Sequence, residues 1–245
     1  MLSLIPLLAT IFFSLVSSSD SSNSPLLHPS VVSSPAFITM DQFTQAVNAS
    51  FPFLPSAKSG NFTSNKYQLV YPDMMNYAVM LGNITTTNEL AMYLANVLYQ
   101  SNGLRLSYDP ACEDPQSGNC LGLNLNTTVF GTNVNYYGRG YLWIQGQSMY
   151  SDLANDMFGN DATLLLYPDL IRISPTMNWA STAWFWRRYI QPYMNTFGST
   201  VKLMRPSQCN GSVTLPTPEL QAAWNIYAAI LSVLSPTTGP SSSYC

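Results

Sequence analysis

Between Ser174 and Tyr189 the chain reads SPTMNWASTAWFWRRY, and no other stretch limits the fold as tightly. Ser174-Pro175 supplies an N-cap and a first-turn proline, which predicts a helix through Tyr189. Trp179, Ala183, Trp184 and Trp186 leave that helix almost wholly apolar. A helix without a polar face has no side to give to water, so it must lie at the centre of the fold. Arg187 and Arg188 sit near its end, where the helix dipole favours cations.

Other helices are legible around it. Thr86 and Glu89 form a capping box ahead of Leu90, Leu94, Val97 and Leu98, which predicts a helix over residues 88–101 with Gly103 as its stop. Thr217-Pro218-Glu219 opens a last helix carrying Leu220, Trp224, Tyr227, Leu231 and Leu234. Shorter helices are predicted over 41–48, with Phe43 and Val47 on one face, and over 148–158. Residues 51–71 read as a punctuated loop with a short helix, and 104–134 as irregular. Strand signals are few and no internal repeat is visible. The fold class is mainly α with long loops.

A chain of 245 residues supports one domain with a full core, or two small ones. Charged residues make up only 9%, so polar uncharged side chains must cover much of the surface. The nine basic residues are scattered from Lys58 to Arg205, and without a basic stripe the chain is not a nucleic-acid binder. Residues 1–19 contain an apolar run closed by serines, as in a cleaved signal peptide; lacking a basic start, the run also reads as an uncleaved anchor. Residues 20–36 form a Ser/Pro-rich linker, read as disordered, and 37–245 the folded domain. Five sequons, at Asn48, Asn61, Asn83, Asn126 and Asn210, and four cysteines with none left over indicate an oxidising compartment. The expectation is a secreted protein, free of the membrane once the leader is removed, and monomeric. Three cysteine pairings exist. Cys112–Cys120 with Cys209–Cys245 is preferred, because each bridge then closes a turn-rich segment. The single histidine, His28, falls in the linker, which excludes His-dependent triads and His-metal chemistry from the domain. No metal or cofactor is implied.

The stretch Tyr136–Tyr150, YYGRGYLWIQGQSMY, carries the candidate chemistry. Its glycines allow a tight turn or a close backbone approach. Arg139 offers five donors in one plane, and Tyr137, Tyr141 and Trp143 offer faces on which a sugar ring can stack. The competing reading is a Gly-kinked loop whose aromatics fill core.

Three ordered blocks give residues 37–245 a resemblance to the family 19 glycoside hydrolases, the chitinases of the lysozyme-like superfamily. Glu89-Leu90-Ala91-Met92-Tyr93-Leu94-Ala95 through Gly103-Leu104-Arg105 is similar to the family's first catalytic helix. Tyr136-Tyr137-Gly138-Arg139-Gly140-Tyr141 nearly matches its signature. Leu166-Tyr167-Pro168-Asp169-Leu170 with Ala183-Trp184-Phe185-Trp186 resembles a core segment. Cys209-Asn210-Gly211, the last helix and Cys245 also fit. The resemblance implies a bilobal helical fold, chitin or other N-acetylglucosamine oligomers as the ligand, and inverting hydrolysis by two separated carboxyl groups.

The chemistry departs from that pattern. Where the family ends its first catalytic helix in His-Glu, with Glu as general acid, this chain has Tyr99-Gln100. The general-base Glu becomes Asp109, which also reads as a plain Asp-Pro turn starter. A sugar-contacting Gln becomes Trp143, and the hydroxyl that positions water becomes Gln145. Leu203-Met204-Arg205 replaces Ile-Asn-Gly, and a family arginine aligns with Ala223. An amide does not deliver a proton, and general acid catalysis is worth roughly 10²–10⁴-fold. The leading expectation is a chitinase-like sugar-binding protein using Tyr137, Arg139, Trp143 and Gln145. An active endochitinase built on Asp109 with Glu113 or Asp114 as surrogate acid, and a glycosylated interaction scaffold, are the alternatives.

Overall fold

The computed structural model describes residues 38–55, 64–112, 126–129, 132–209, 216–235, 237, 239–240 and 245. The leader, the linker, Cys120, Asn61, Asn210, Glu113 and Asp114 lie outside them. The architecture is mainly α, as the sequence pattern implied.

Helix α1 (Met40–Ser50) starts at a Thr39–Gln42 capping box and passes into a 3-10 turn, Phe51–Phe53. Helix α2 (Ser64–Met74) continues without a break into a π-helix, Met75–Leu81. Residues 64–71 of this run fall in the stretch expected to be loop with a short helix. Pro72 has no amide hydrogen to offer the ladder, and the register widens three residues later. Helix α3 (Thr87–Gln100) is N-capped by Thr86, whose Oγ1 accepts from Glu89 N at 3.1 Å, and every residue from Glu89 to Leu98 is buried.

Residues 104–134 are not wholly irregular. Strands β1 (Asn126–Val129) and β2 (Thr132–Asn135) form an antiparallel hairpin with Asn126 opposite Asn135. Each strand is four residues of mostly Asn and Thr, too short and too polar to show alternation. Then come α4 (Gln147–Phe158), the short α5 (Ala162–Leu166) and α6 (Leu170–Ile173), and α7 (Pro175–Phe185), which ends in a second π-helix, Trp186–Ile190. Helix α8 (Phe197–Met204) has a Thr196–Ser199 capping box that the sequence reading passed over. Helix α9 (Pro218–Leu234) closes the order and packs on α3 and α1.

The apolar helix accounts for the layout. Trp179 and Trp186 belong to one hydrophobic cluster, with α1, α3 and α9. Met177, Ala180, Ala183 and Trp184 belong to a second, with α4, α5, Tyr136 and Tyr150. One helix thus gives a face to each of two cores. Trp186 Nε1 donates to Glu89 Oε1 at 3.1 Å, fastening the π-helix to the start of α3, and the Tyr93 and Trp186 rings meet edge to face at 5.3 Å. Cys209 and Cys245 are bonded, and Cys112 is disulfide-bonded too. Asn48 and Asn83 are exposed, although Asn48 Oδ1 accepts from the Tyr67 hydroxyl at 2.9 Å. No described helix is long and apolar enough to cross a membrane.

Trp179 and Trp186 are both fully buried, but the Trp179 Nε1 has no hydrogen-bond partner among the described residues. Replacing each by Phe removes similar volume, and only Trp186→Phe also strips a bond from a buried carboxylate. Trp186→Phe is expected to cost about 1–3 kcal/mol more than Trp179→Phe in urea denaturation. Equal costs would contradict this.

Candidate functional site

The Gly-Arg-Gly segment is a structural turn before it is anything else. Asp109 N donates to Gly138 O and Gly140 N to Ser107 O, both at 2.8 Å, which pairs the segment with the chain leaving α3. Arg139 and Ile144 exchange backbone bonds at 3.0 and 2.8 Å, so residues 140–143 reverse direction tightly. Gly140 takes φ +80° there, and an added Cβ would meet Ser181 Oγ at 3.0 Å. A Cβ on Gly138 would stand 2.8 Å from the Cβ of Trp143, so only glycine lets that indole settle against the backbone. Trp143 itself has φ +54°, a left-handed conformation that a bulky residue adopts at a cost of roughly 1–3 kcal/mol. Strained backbone of this kind gathers at ligand sites.

Arg139 holds the turn from behind. Its guanidinium is 3% exposed; Nε donates to Asp169 Oδ1 at 2.8 Å, and Nη1 donates to Asn135 O at 2.8 Å and to the Tyr150 hydroxyl at 3.0 Å. The Tyr137 ring lies 3.6 Å from the guanidinium carbon. Burial alone would lower the pKa of Arg139, but Tyr150, Asp169 and Tyr137 outweigh it and the value ends above the ordinary one. Tyr150 is pushed up by burial. The Pro-Asp-Leu block and the Gly-Arg-Gly block therefore meet through one ion pair.

The opposite wall comes from the end of α3. Ser101 Oγ caps the turn that follows, donating to Val97 O at 2.6 Å and accepting from Leu104 N at 2.8 Å. Asn102, Gly103 and Leu104 all have positive φ, which turns the chain sharply toward Asp109. Gln100, at the helix end, accepts from Arg205 Nη1 at 3.3 Å through Oε1. Arg205 Nη2 donates to Asn96 Oδ1 at 3.0 Å, and its guanidinium carbon lies 4.4 Å from the centre of the Tyr99 ring. Burial lowers the Arg205 pKa to about 10, against a weak opposing effect of the Tyr99 phenol.

Between these walls is a cavity of about 320 Å³, closed also by Met149 of α4, Phe185 of α7, and Leu203 and Met204 of α8. Gln100, Trp143 and Gln145 stand on it together. Tyr137 and Arg139 do not: both are buried behind the turn, and their bonding is spent on the scaffold. Asp109 does not line it either. Its Oδ1 accepts from Ala111 N at 3.0 Å in the manner of an Asx turn. Arg205, which the sequence marks only as a departure from pattern, is a cation hydrogen-bonded to Gln100, and a charged residue amid apolar ones is its one signal. No carboxylate is on the described walls.

The fold has counterparts among known proteins. No protein-family model matches the chain. Over 78 residues it is 35% identical to an endochitinase of Arabidopsis thaliana, covering 31% of this chain and 27% of that one. Over 77 residues it is 29% identical to a basic endochitinase of Brassica napus, covering 31% and 28%. The chain thus matches little more than a quarter of these relatives' length. Chitinase C of Streptomyces griseus superposes with a TM-score of 0.57 at 20% identity, over 85% of this chain and 80% of that one. A bacterial family 19 chitinase gives 0.55 at 19% identity, over 85% and 98%. The chain is therefore chitinase-like, with the family 19 fold.

A direct check of the site is Gly138→Ala. The added methyl must displace Trp143, and overpacking of this kind costs about 1–3 kcal/mol. The near-ultraviolet circular dichroism should change, and the change should vanish in a Trp143→Phe background. An unaltered spectrum would show that Trp143 does not depend on Gly138.

Proposed function

We propose that this is a secreted chitinase-like protein that binds β-1,4-linked N-acetylglucosamine polymers and does not hydrolyse them. One observation carries the reading: the residue at the acid position is an amide, Gln100, in a cavity whose described walls bear no carboxylate. Inverting hydrolysis needs a proton donor on one side of the bond and a base holding water on the other. Gln100 is no such donor, and the Asp109 carboxylate, off the wall, is engaged by its own turn.

Binding needs less. Trp143 supplies a flat indole on the wall, and its Nε1 has no hydrogen-bond partner among the described residues. Gln145, exposed at the rim, and Gln100 supply amides that can meet hydroxyl and acetamido groups. Similarity to endochitinases supports the ligand class. The serine-closed leader, the sequons and the paired cysteines support export.

Retention on chitin beads tests this. The protein is expected to be retained, and Trp143→Ala to lower affinity for a chitin tetramer about tenfold, through loss of stacking and its burial. Failure to bind either beads or tetramer would end the proposal.

A further inference from the structure

The one described charge beside the cavity distinguishes an acidic saccharide from a neutral one of the same shape. Its described walls carry amides, an indole, thioethers and hydrocarbon, and no acid. Directly behind Gln100 stands Arg205, and no carboxylate among the described residues lies within ion-pair distance of it. Its acceptors are two neutral amide oxygens, one face lies on Tyr99, and its Nε is buried without a hydrogen-bond partner among the described residues. Arg205 is half-buried, and a cation drawn that far out of water is stabilised by an anionic partner.

The same contact fixes which end of Gln100 faces the ligand. A guanidinium only donates, so the atom it holds must be Oε1. Asn96 is locked by the same logic: its Nδ2 donates to Met92 O at 2.9 Å and to Thr200 Oγ1 at 2.8 Å, which leaves Oδ1 for Arg205. Flipping Gln100 would set an N–H group against an N–H group. Its Nε2 has no partner among the described residues and is the arm left for the cavity.

We infer that Arg205 sets the ligand preference of this cavity: it fixes Gln100 as a hydrogen-bond donor and, with no counter-ion among the described residues, favours a saccharide that bears a carboxylate over its neutral counterpart. The inference rests on the carbohydrate-binding reading and adds a charge preference to it. Arg205 acts through Gln100 and is a specificity-determining residue, not a catalytic one.

Calorimetric titration of the full chain with β-1,4-linked tetramers of N-acetylglucosamine, glucose and glucuronate tests it, since the last two differ only at C6. The glucuronate tetramer should bind about tenfold more tightly than the glucose tetramer at low salt, and the ratio should shrink as salt screens the charge. Arg205→Gln keeps donors for both amide oxygens and removes the charge. It should abolish the preference while unfolding at the same urea concentration or later, because a partly desolvated cation has been removed. Gln100→Glu is the second route: it supplies the missing counter-ion and should also level the two affinities. Equal or absent binding of the glucose and glucuronate tetramers alongside binding of the N-acetylglucosamine tetramer would overturn the inference alone. A preference that survives both variants would do the same. If no tetramer binds, the carbohydrate-binding reading falls and takes the inference with it.

Discussion

One guanidinium holds the site in shape. Arg139 gathers the Asp169 carboxylate, a carbonyl of the hairpin strand β2, the Tyr150 hydroxyl of α4 and the Tyr137 ring around a single buried charge. Those partners come from separate elements, and the turn that bears Trp143 is suspended from them. Because Asp169 is about half exposed, the ion pair alone is worth little. The burial of the cation makes every partner necessary: removing one leaves charge without compensation in a dry setting, which is where polar groups cost most.

On that scaffold the polarity of the cleft differs from what hydrolysis needs. A chitinase of the inverting type sets two carboxyl groups across the bond. Here Gln100, at the end of α3, is an amide whose oxygen is turned back to Arg205, so the arm left toward the cavity donates a hydrogen bond and carries no titratable proton. The aromatic wall remains, held by a glycine whose missing side chain makes room for the indole. A stacking face, amide donors and no acid on the described walls are what the proposed saccharide binding requires.

Much of the fold was legible. Helices α3, α7 and α9 announce themselves by caps and by apolar residues at helical spacing, and the lack of a polar face on α7 implies its central place, though not that it serves two cores. The two π-helices were not legible, since a widened hydrogen-bond register leaves no mark on composition. Helix α8 is one of the shorter helices, and its Thr196–Ser199 cap lacks the acidic partner that usually draws notice. At the site, Gln100, Trp143 and Gln145 were named from the chain and stand on one cavity. Arg139 was read as a fork for sugar, yet its partner Asp169 is thirty residues away, and nothing local shows that the fork is already filled. Arg205 was seen only as a departure from pattern, because the amides it holds lie more than a hundred residues back along the chain.

The central claim is that the cleft holds its ligand without a proton donor. Product analysis of a labelled N-acetylglucosamine tetramer, incubated at high protein concentration from about pH 4 to about pH 8, tests it most directly. The account predicts that no new reducing ends appear while the tetramer remains bound. Turnover that is abolished by Asp109→Asn would contradict it.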